Sequence, residues 1–192
     1  MTTASTIRQR WLAGHGPIAH RDETVERVET LVTRLIAKGR VADEATAYTL
    51  LAAADRLSCV AMNVVAHMTY AGRIDLFGTA LSAEDFKPTP EGHTGGSLNM
   101  VQAFVGYLLA NALTGSTRGW IMGQGHCVAA IEAVNALTGD VSPAQRGRYD
   151  RSEQGLSRLC ADFYSYAIDA QGRPAVPLGS HAGPNTAGAV SE

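Results

Sequence analysis

Two long apolar segments, each preceded by a loop rich in glycine and histidine, constrain the fold of this chain most strongly. Residues 98–113 are nearly all apolar and are followed by Gly115, and residues 126–137 form a second apolar segment followed by Gly139. Apolar segments of this length predict buried helices. A glycine directly after each segment is typical of a helix C-terminus. We therefore expect two buried helices, each opening from a glycine-rich loop.

Further elements precede these two helices. Apolar residues at helical spacing, with acidic residues early and basic residues late, predict an amphipathic helix from Asp22 that stops at Gly39. A second helix is expected from about Asp43 through Leu51, and a third over residues 57–70. Residues 72–92 are rich in glycine, proline and acidic residues, which indicates a connecting segment. Residues 120–122 form a short apolar candidate strand, and a mixed helical segment is expected over 154–166.

Charge and cysteine content exclude several classes of protein. The 192 residues contain 16 basic and 18 acidic side chains, a net charge of −2, so no strong field favours nucleic acid or an anionic membrane surface. Three widely spaced cysteines without a CxxC pair argue against a disulfide framework or a thiolate zinc site, and they fit a reducing cytoplasm best. The polar start and the lack of a long uninterrupted apolar run predict a cytoplasmic protein without a signal peptide or a membrane span.

Three histidines lie in the glycine-rich loops, and they are the main candidates for chemistry. His93 follows Glu91-Gly92, His126 follows the Gly123-Gln124-Gly125 turn, and His181 follows Gly179-Ser180. An imidazole with a pKa near 6.5 suits proton transfer at neutral pH, and a helix start offers N–H groups to a phosphate. The alternative for each loop is a surface histidine beside a turn that needs glycine for its geometry alone.

A metal site is not predicted from these histidines. No pair has HxH or HExxH spacing, so a zinc or iron site would depend on a coincidence of the tertiary structure. Cys127 follows His126, but adjacent side chains on a helix point apart, and we interpret Cys127 as a small buried hydrophobic residue. We assign no role to His15, His20 or His67.

The three loops together resemble a known family. The segments EGHTGGSLNM, MGQGHCVAA and LGSHAGPNTAGAVSE occur in the order found in the N-terminal region of phosphoketolase-like thiamine-diphosphate enzymes, which are related to transketolases. The resemblance covers about residues 55–192. It implies an α/β fold in which residues 91–192 begin a thiamine-diphosphate-binding domain with a parallel sheet between helices. Residues 1–90 would form a preceding helical segment.

The function implied by the resemblance is carbon–carbon cleavage by an aldehyde-lyase of carbohydrate metabolism. The substrate would be xylulose 5-phosphate or fructose 6-phosphate, with inorganic phosphate as a further partner and thiamine diphosphate as the electron sink. The full-length enzyme would be a homodimer. The resemblance implies catalytic roles for His93, His126 and His181, and cofactor binding by Gly95, Gly123, Gly125 and His126.

Several alternatives remain open at this point. Thr94-Gly95 stands where phosphoketolases have Trp-Gly, and GQGHCV stands where they have GPGHGG, so a ketopentose-phosphate epimerase or a transketolase is an alternative to the lyase. The family's GDG motif for Mg²⁺ and diphosphate does not occur, so we expect the Mg²⁺ ligands outside this chain. The chain would then be a truncated product, inactive alone. A non-catalytic binding module is the alternative from another class.

Overall fold

The computed structural model describes residues 3–119 and 125–178 of the chain. It is 62% helical. The α-helices of the described part are α1 (Thr3–Leu12), α2 (Asp22–Ala37), α3 (Glu44–Tyr70), α4 (Thr94–Thr114), α5 (Val128–Thr138), α6 (Pro143–Arg148) and α7 (Glu153–Asp162). Two short 3₁₀ turns cover Ala83–Asp85 and Gly125–Cys127.

The expected α/β fold with a parallel sheet is wrong for the described part of the chain. Residues 3–119 and 125–178 contain no strand, and the paired backbone outside helices consists of isolated bridges such as the one between Ala71 and Phe86. The physical reason is that helices bury the apolar surfaces of other helices, so no sheet is needed to cover them. The candidate strand at residues 120–122 lies outside the described residues.

Local signals predicted α2 and α5 correctly. Helix α2 begins at Asp22 with acidic residues in its first turn, and Gly39 follows it with φ +63°. Helix α5 follows the 3₁₀ turn Gly125–Cys127 and ends at Gly139 with φ +79°, the left-handed conformation that favours glycine. The connecting segment 72–92 is irregular apart from the turn at Ala83–Asp85, as expected.

The bounds of three helices differ from those predicted. Helix α7 ends at Asp162, four residues before the predicted end at 166. The second and third predicted helices are one continuous helix, α3, since the alanine-rich stretch between Leu51 and Leu57 has neither glycine nor proline to interrupt it. Asp43 precedes this helix and caps it, because its Oδ1 accepts a hydrogen bond from the Thr46 N–H at 2.7 Å. Helix α4 begins at Thr94, four residues before the predicted start at 98, and thereby includes two glycines.

The described residues fall into two compact units that are not contiguous in sequence: residues 3–60 with 103–119, and residues 61–102 with 125–178. In the first unit, Trp11 is 2% exposed and its ring contacts His20 and Tyr48, with ring centroids 4.4 and 5.3 Å apart. His20 Nε2 lies 2.9 Å from Asp55 Oδ2. The hydrophobic core of this unit also includes Val32, Leu35, Val41, Ala47, Leu51, Ala52 and Leu113.

The second unit contains the loops that the sequence singled out. Many of its buried apolar residues come from the C-terminal part of α3, the first turns of α4, and α5 and α7. They include Val64, Val65, Met68, Val101, Ala130, Ala133, Val134, Leu156, Leu159 and Cys160. A bidentate ion pair also lies here, with Arg148 Nε and Nη2 donating to Asp162 at 2.5 and 3.0 Å. Tyr149 donates to the same carboxylate at 2.8 Å. These contacts join α6 to α7.

Helix α3 is long and apolar enough, by length and composition, to cross a membrane. Such a helix is weak evidence for a membrane span, because the core helix of a soluble protein meets the same criteria. Within its most apolar window, 33% of the residues are buried in the protein. The absence of a membrane span therefore stays a prediction.

Candidate functional site

His93 directly precedes α4, and it was predicted to lie in the loop that leads into this helix. The Ser97 N–H donates to the His93 carbonyl at 2.9 Å, so the N–H groups of residues 94–96 come before the first intrahelical hydrogen bond of α4. These groups form the positive end of a 21-residue helix. The imidazole of His93 is exposed. A ligand can therefore reach both this side chain and the helix start.

A set of contacts holds the segment that leads into His93. The Lys87 ammonium donates to the carbonyls of Met68 and Phe163 at 2.7 and 2.8 Å, and burial lowers the pKa of this lysine. Tyr166 donates to Glu91 at 2.7 Å, which raises the pKa of the tyrosine to about 12. These contacts therefore hold the chain segment before α4 against α3 and against the segment that follows α7.

Gly92 is required at the turn before His93 for two reasons. Its φ is +123°, a conformation that a residue with a side chain rarely adopts. A Cβ atom at this position would also lie 3.2 Å from Thr69 Oγ1 and 3.4 Å from a ring carbon of Phe163. A side chain here would therefore strain the backbone and crowd Thr69 and Phe163, so glycine favours the turn by which the chain enters α4.

His126 and Cys127 lie in the 3₁₀ turn that leads into α5, and this turn brings them to His93. The imidazoles of His93 and His126 stack with ring centroids 4.5 Å apart and an interplanar angle of 25°. One ligand atom from each histidine and the Cys127 sulfur all lie within 4.8 Å of one another. We call these three residues the His93–His126–Cys127 cluster.

Gly96 permits the close packing of this cluster. A Cβ atom at Gly96 would lie 2.8 Å from Cys127 Sγ and 2.9 Å from His93 Nδ1, closer than real Cβ contacts allow. Gly95 differs, since a Cβ atom there would meet nothing within 4 Å. Of the two glycines that open α4, the second is thus needed for packing, whereas the first lies beside open space.

The hydrogen bonding of the cluster is incomplete. His126 Nδ1 is buried and has no hydrogen-bond partner. A buried polar atom without a partner is costly and is uncommon in folded proteins, so it indicates a position where a bound group can complete the hydrogen bonding. Cys127 is 1% exposed, and burial raises the pKa of its thiol. This thiol is therefore a weak nucleophile.

These residues suit a phosphorylated ligand better than they suit Mg²⁺. The imidazoles and the start of α4 offer hydrogen-bond donors, which an anionic or hydroxyl-bearing ligand needs. The unpartnered His126 Nδ1 fits a ligand of this kind, including the thiamine diphosphate that the resemblance implies. Mg²⁺ requires oxygen ligands, whereas the cluster offers two nitrogens and one sulfur.

The structure unites only part of the predicted site. His93, His126, Gly95 and Gly125 belong to the second unit, at the starts of α4 and α5. His181 and Gly123 lie outside the described residues. Sequence reasoning missed that Cys127 and Gly96 belong to the cluster. The expectation that the His126 and Cys127 side chains point apart assumes an α-helix, whereas residues 125–127 form a 3₁₀ turn.

Comparison of the chain with protein-family profiles, with curated proteins and with solved structures finds no match.

Proposed function

We propose that this protein takes part in thiamine-diphosphate-dependent cleavage of the carbon–carbon bond beside the carbonyl of a ketose phosphate. Xylulose 5-phosphate and fructose 6-phosphate are the candidate substrates, and inorganic phosphate is the candidate acceptor. The observation that supports the proposal best is the stacked pair of His93 and His126, with a buried, unpartnered nitrogen on His126. The proposed roles use residues at helix starts and turns, and they require no sheet in the described part of the chain.

The roles of the chain's own residues follow from their chemistry. A neutral imidazole carries one N–H donor and one acceptor nitrogen, so His93 and His126 together can give a proton to one substrate hydroxyl and take a proton from another. The exposed His93 is the member that an incoming sugar meets first. His126, which is less exposed, would hold a hydroxyl group through Nδ1.

Binding of the phosphorylated groups would use the backbone. Gly95 lies beside open space at the start of α4, where the N–H groups of the first turn favour an anion. Gly125 and His126 belong to the turn before α5, which we propose holds the diphosphate end of the cofactor. When bound, thiamine diphosphate supplies the electron sink for cleavage of the carbon–carbon bond.

Substrate turnover with matched variants tests the proposal. The protein expressed from its natural gene would receive thiamine diphosphate, Mg²⁺, inorganic phosphate and either ketose phosphate. We expect substrate consumption, and a loss of about 10²–10⁴-fold in kcat/KM in His126→Ala, as is usual when a proton-transferring residue is removed. His67→Ala is the control, because His67 Nδ1 lies on α3 within 2.8 Å of its own helix's Asn63 carbonyl. Normal turnover by His126→Ala would contradict the assignment.

The reaction product distinguishes the alternative activities. Acetyl phosphate would indicate a phosphoketolase, a longer sugar formed with an added aldose would indicate a transketolase, and an epimeric ketopentose phosphate would indicate an epimerase. Binding of the sugar phosphate without conversion would instead support the non-catalytic binding module and would contradict the proposed cleavage.

A further inference from the structure

Three soft or borderline ligand atoms meet in the His93–His126–Cys127 cluster, although they come from two loops separated by more than 30 residues of sequence. Such a set cannot arise from local sequence spacing, since only His126 and Cys127 are neighbours in the chain. The donor set of two imidazole nitrogens and one thiolate is typical of Zn²⁺.

We propose that the His93–His126–Cys127 cluster binds one Zn²⁺ ion through these three side chains. In a tetrahedral zinc site with bonds of about 2.0–2.3 Å, neighbouring ligand atoms lie roughly 3.3–3.8 Å apart. The corresponding atoms here lie within 4.8 Å of one another before any metal binds. Shifts of about 1 Å close the site, which rotation of side chains between their rotamers supplies.

The surroundings of each ligand favour this assignment. His93 is exposed, so its ring can turn out of the stack and face the ion. His126 Nδ1 already has no hydrogen-bond partner to lose. Gly96 leaves the space between Cys127 Sγ and His93 Nδ1 free of a side chain. Cys127 would bind as the thiolate and release its proton to solvent.

A site with three protein ligands resembles catalytic rather than structural zinc sites, because a fourth position remains for water or a ligand. The proposal does not depend on the function proposed above, since binding of the ion requires no turnover. The proposed ion also differs from the Mg²⁺ expected with thiamine diphosphate, because Mg²⁺ takes oxygen ligands and this cluster offers nitrogen and sulfur.

Titration of the metal-free protein tests the site directly. The tag-free 192-residue chain would be treated with chelator, kept reduced with a phosphine, and titrated with Zn²⁺ by calorimetry. We expect one high-affinity ion per chain, with no corresponding binding of Mg²⁺. Titration with Co²⁺ should give two new spectral features. One is a thiolate-to-metal charge-transfer band in the near ultraviolet, and the other is the set of visible bands that tetrahedral cobalt shows.

Matched variants separate this site from weak binding elsewhere. His93→Ala and Cys127→Ser should each weaken Zn²⁺ binding by at least about tenfold, and Cys127→Ser should remove the charge-transfer band with Co²⁺. The controls His15→Ala and Cys59→Ser alter residues of the first unit and should bind as the wild type does. Because His93 is exposed, His93→Ala tests the site even if Cys127→Ser fails to fold. Absence of stoichiometric binding, or equal binding by His93→Ala and the wild type, would overturn the proposal.

Discussion

Glu132 on α5 should make the stability of this protein depend on pH. Burial raises the pKa of its carboxyl group from an ordinary value of 4.5 to about 7. Its Oε2 accepts a long hydrogen bond of 3.4 Å from Gln145, which compensates poorly for lost water. The folded protein therefore binds a proton at Glu132 in the range between pH 4.5 and 7, where the unfolded chain has already released it.

The sign and size of the effect follow from this difference. Because the pKa is raised in the folded state, stability falls as the pH rises from about 4.5 through 7, and the full cost applies above pH 7. The difference between about 7 and 4.5 is about 2.5 pH units, and at about 1.36 kcal/mol per unit it corresponds to about 3 kcal/mol. The substitution Glu132→Gln keeps the shape of the side chain and removes the charge.

Urea unfolding at a series of pH values measures this effect. At pH 8 we expect Glu132→Gln to exceed the wild type in free energy of unfolding by up to about 3 kcal/mol, and near pH 4.5 the two proteins should be equal. The difference between the two proteins isolates Glu132 from other groups that titrate in the same range. Glu26→Gln, at an exposed position on α2, is the control and should follow the wild type. Parallel curves for Glu132→Gln and the wild type would refute the reasoning.

Three further predictions concern the second unit. Gly96→Ala places a Cβ atom 2.8 Å from Cys127 Sγ, so the Zn²⁺ affinity measured by calorimetry should fall about tenfold. The far-UV circular dichroism spectrum should stay unchanged. An unchanged Zn²⁺ affinity would contradict the packing argument. Asp162→Asn removes the charge that Arg148 binds, so the free energy of unfolding measured in urea should fall by about 1.5 kcal/mol or more. An unchanged unfolding midpoint would mean that the ion pair does not stabilise the protein. Since the proposed function and the zinc site share His93 and His126, Zn²⁺ should inhibit turnover. Unchanged turnover with the zinc site filled would show that the two sites differ.

The helices of this protein were largely predictable from sequence, because the signals that form them are local. The acidic start and the terminal glycine of α2, and the apolar run closed by Gly139 in α5, act within a few residues. Helix α1 and the six-residue α6 were not predicted, since both are short and weakly apolar. The capping box of Ser142 and Gln145, with Pro143 between them, was the available signal for α6.

The predicted sheet shows the limit of reasoning from loop motifs. The resemblance rests on short glycine- and histidine-rich segments, which specify a turn and a helix start but not the elements that pack against the helix. Whether an apolar helix faces a sheet or other helices depends on contacts between residues that are distant in the chain. In the first unit, the core cluster draws mainly on helices α1, α2, α3 and α4, and the described residues contain no strand.

The sequence by itself determined that His93 and His126 lie in loops at the starts of two apolar helices, because glycine and the apolar pattern act locally. Only the tertiary structure decided that their rings stack, that Cys127 joins them, and that Gly96 leaves room for all three. The physical reason is that a distance between two loops depends on how two helices pack. No spacing along the chain encodes that distance.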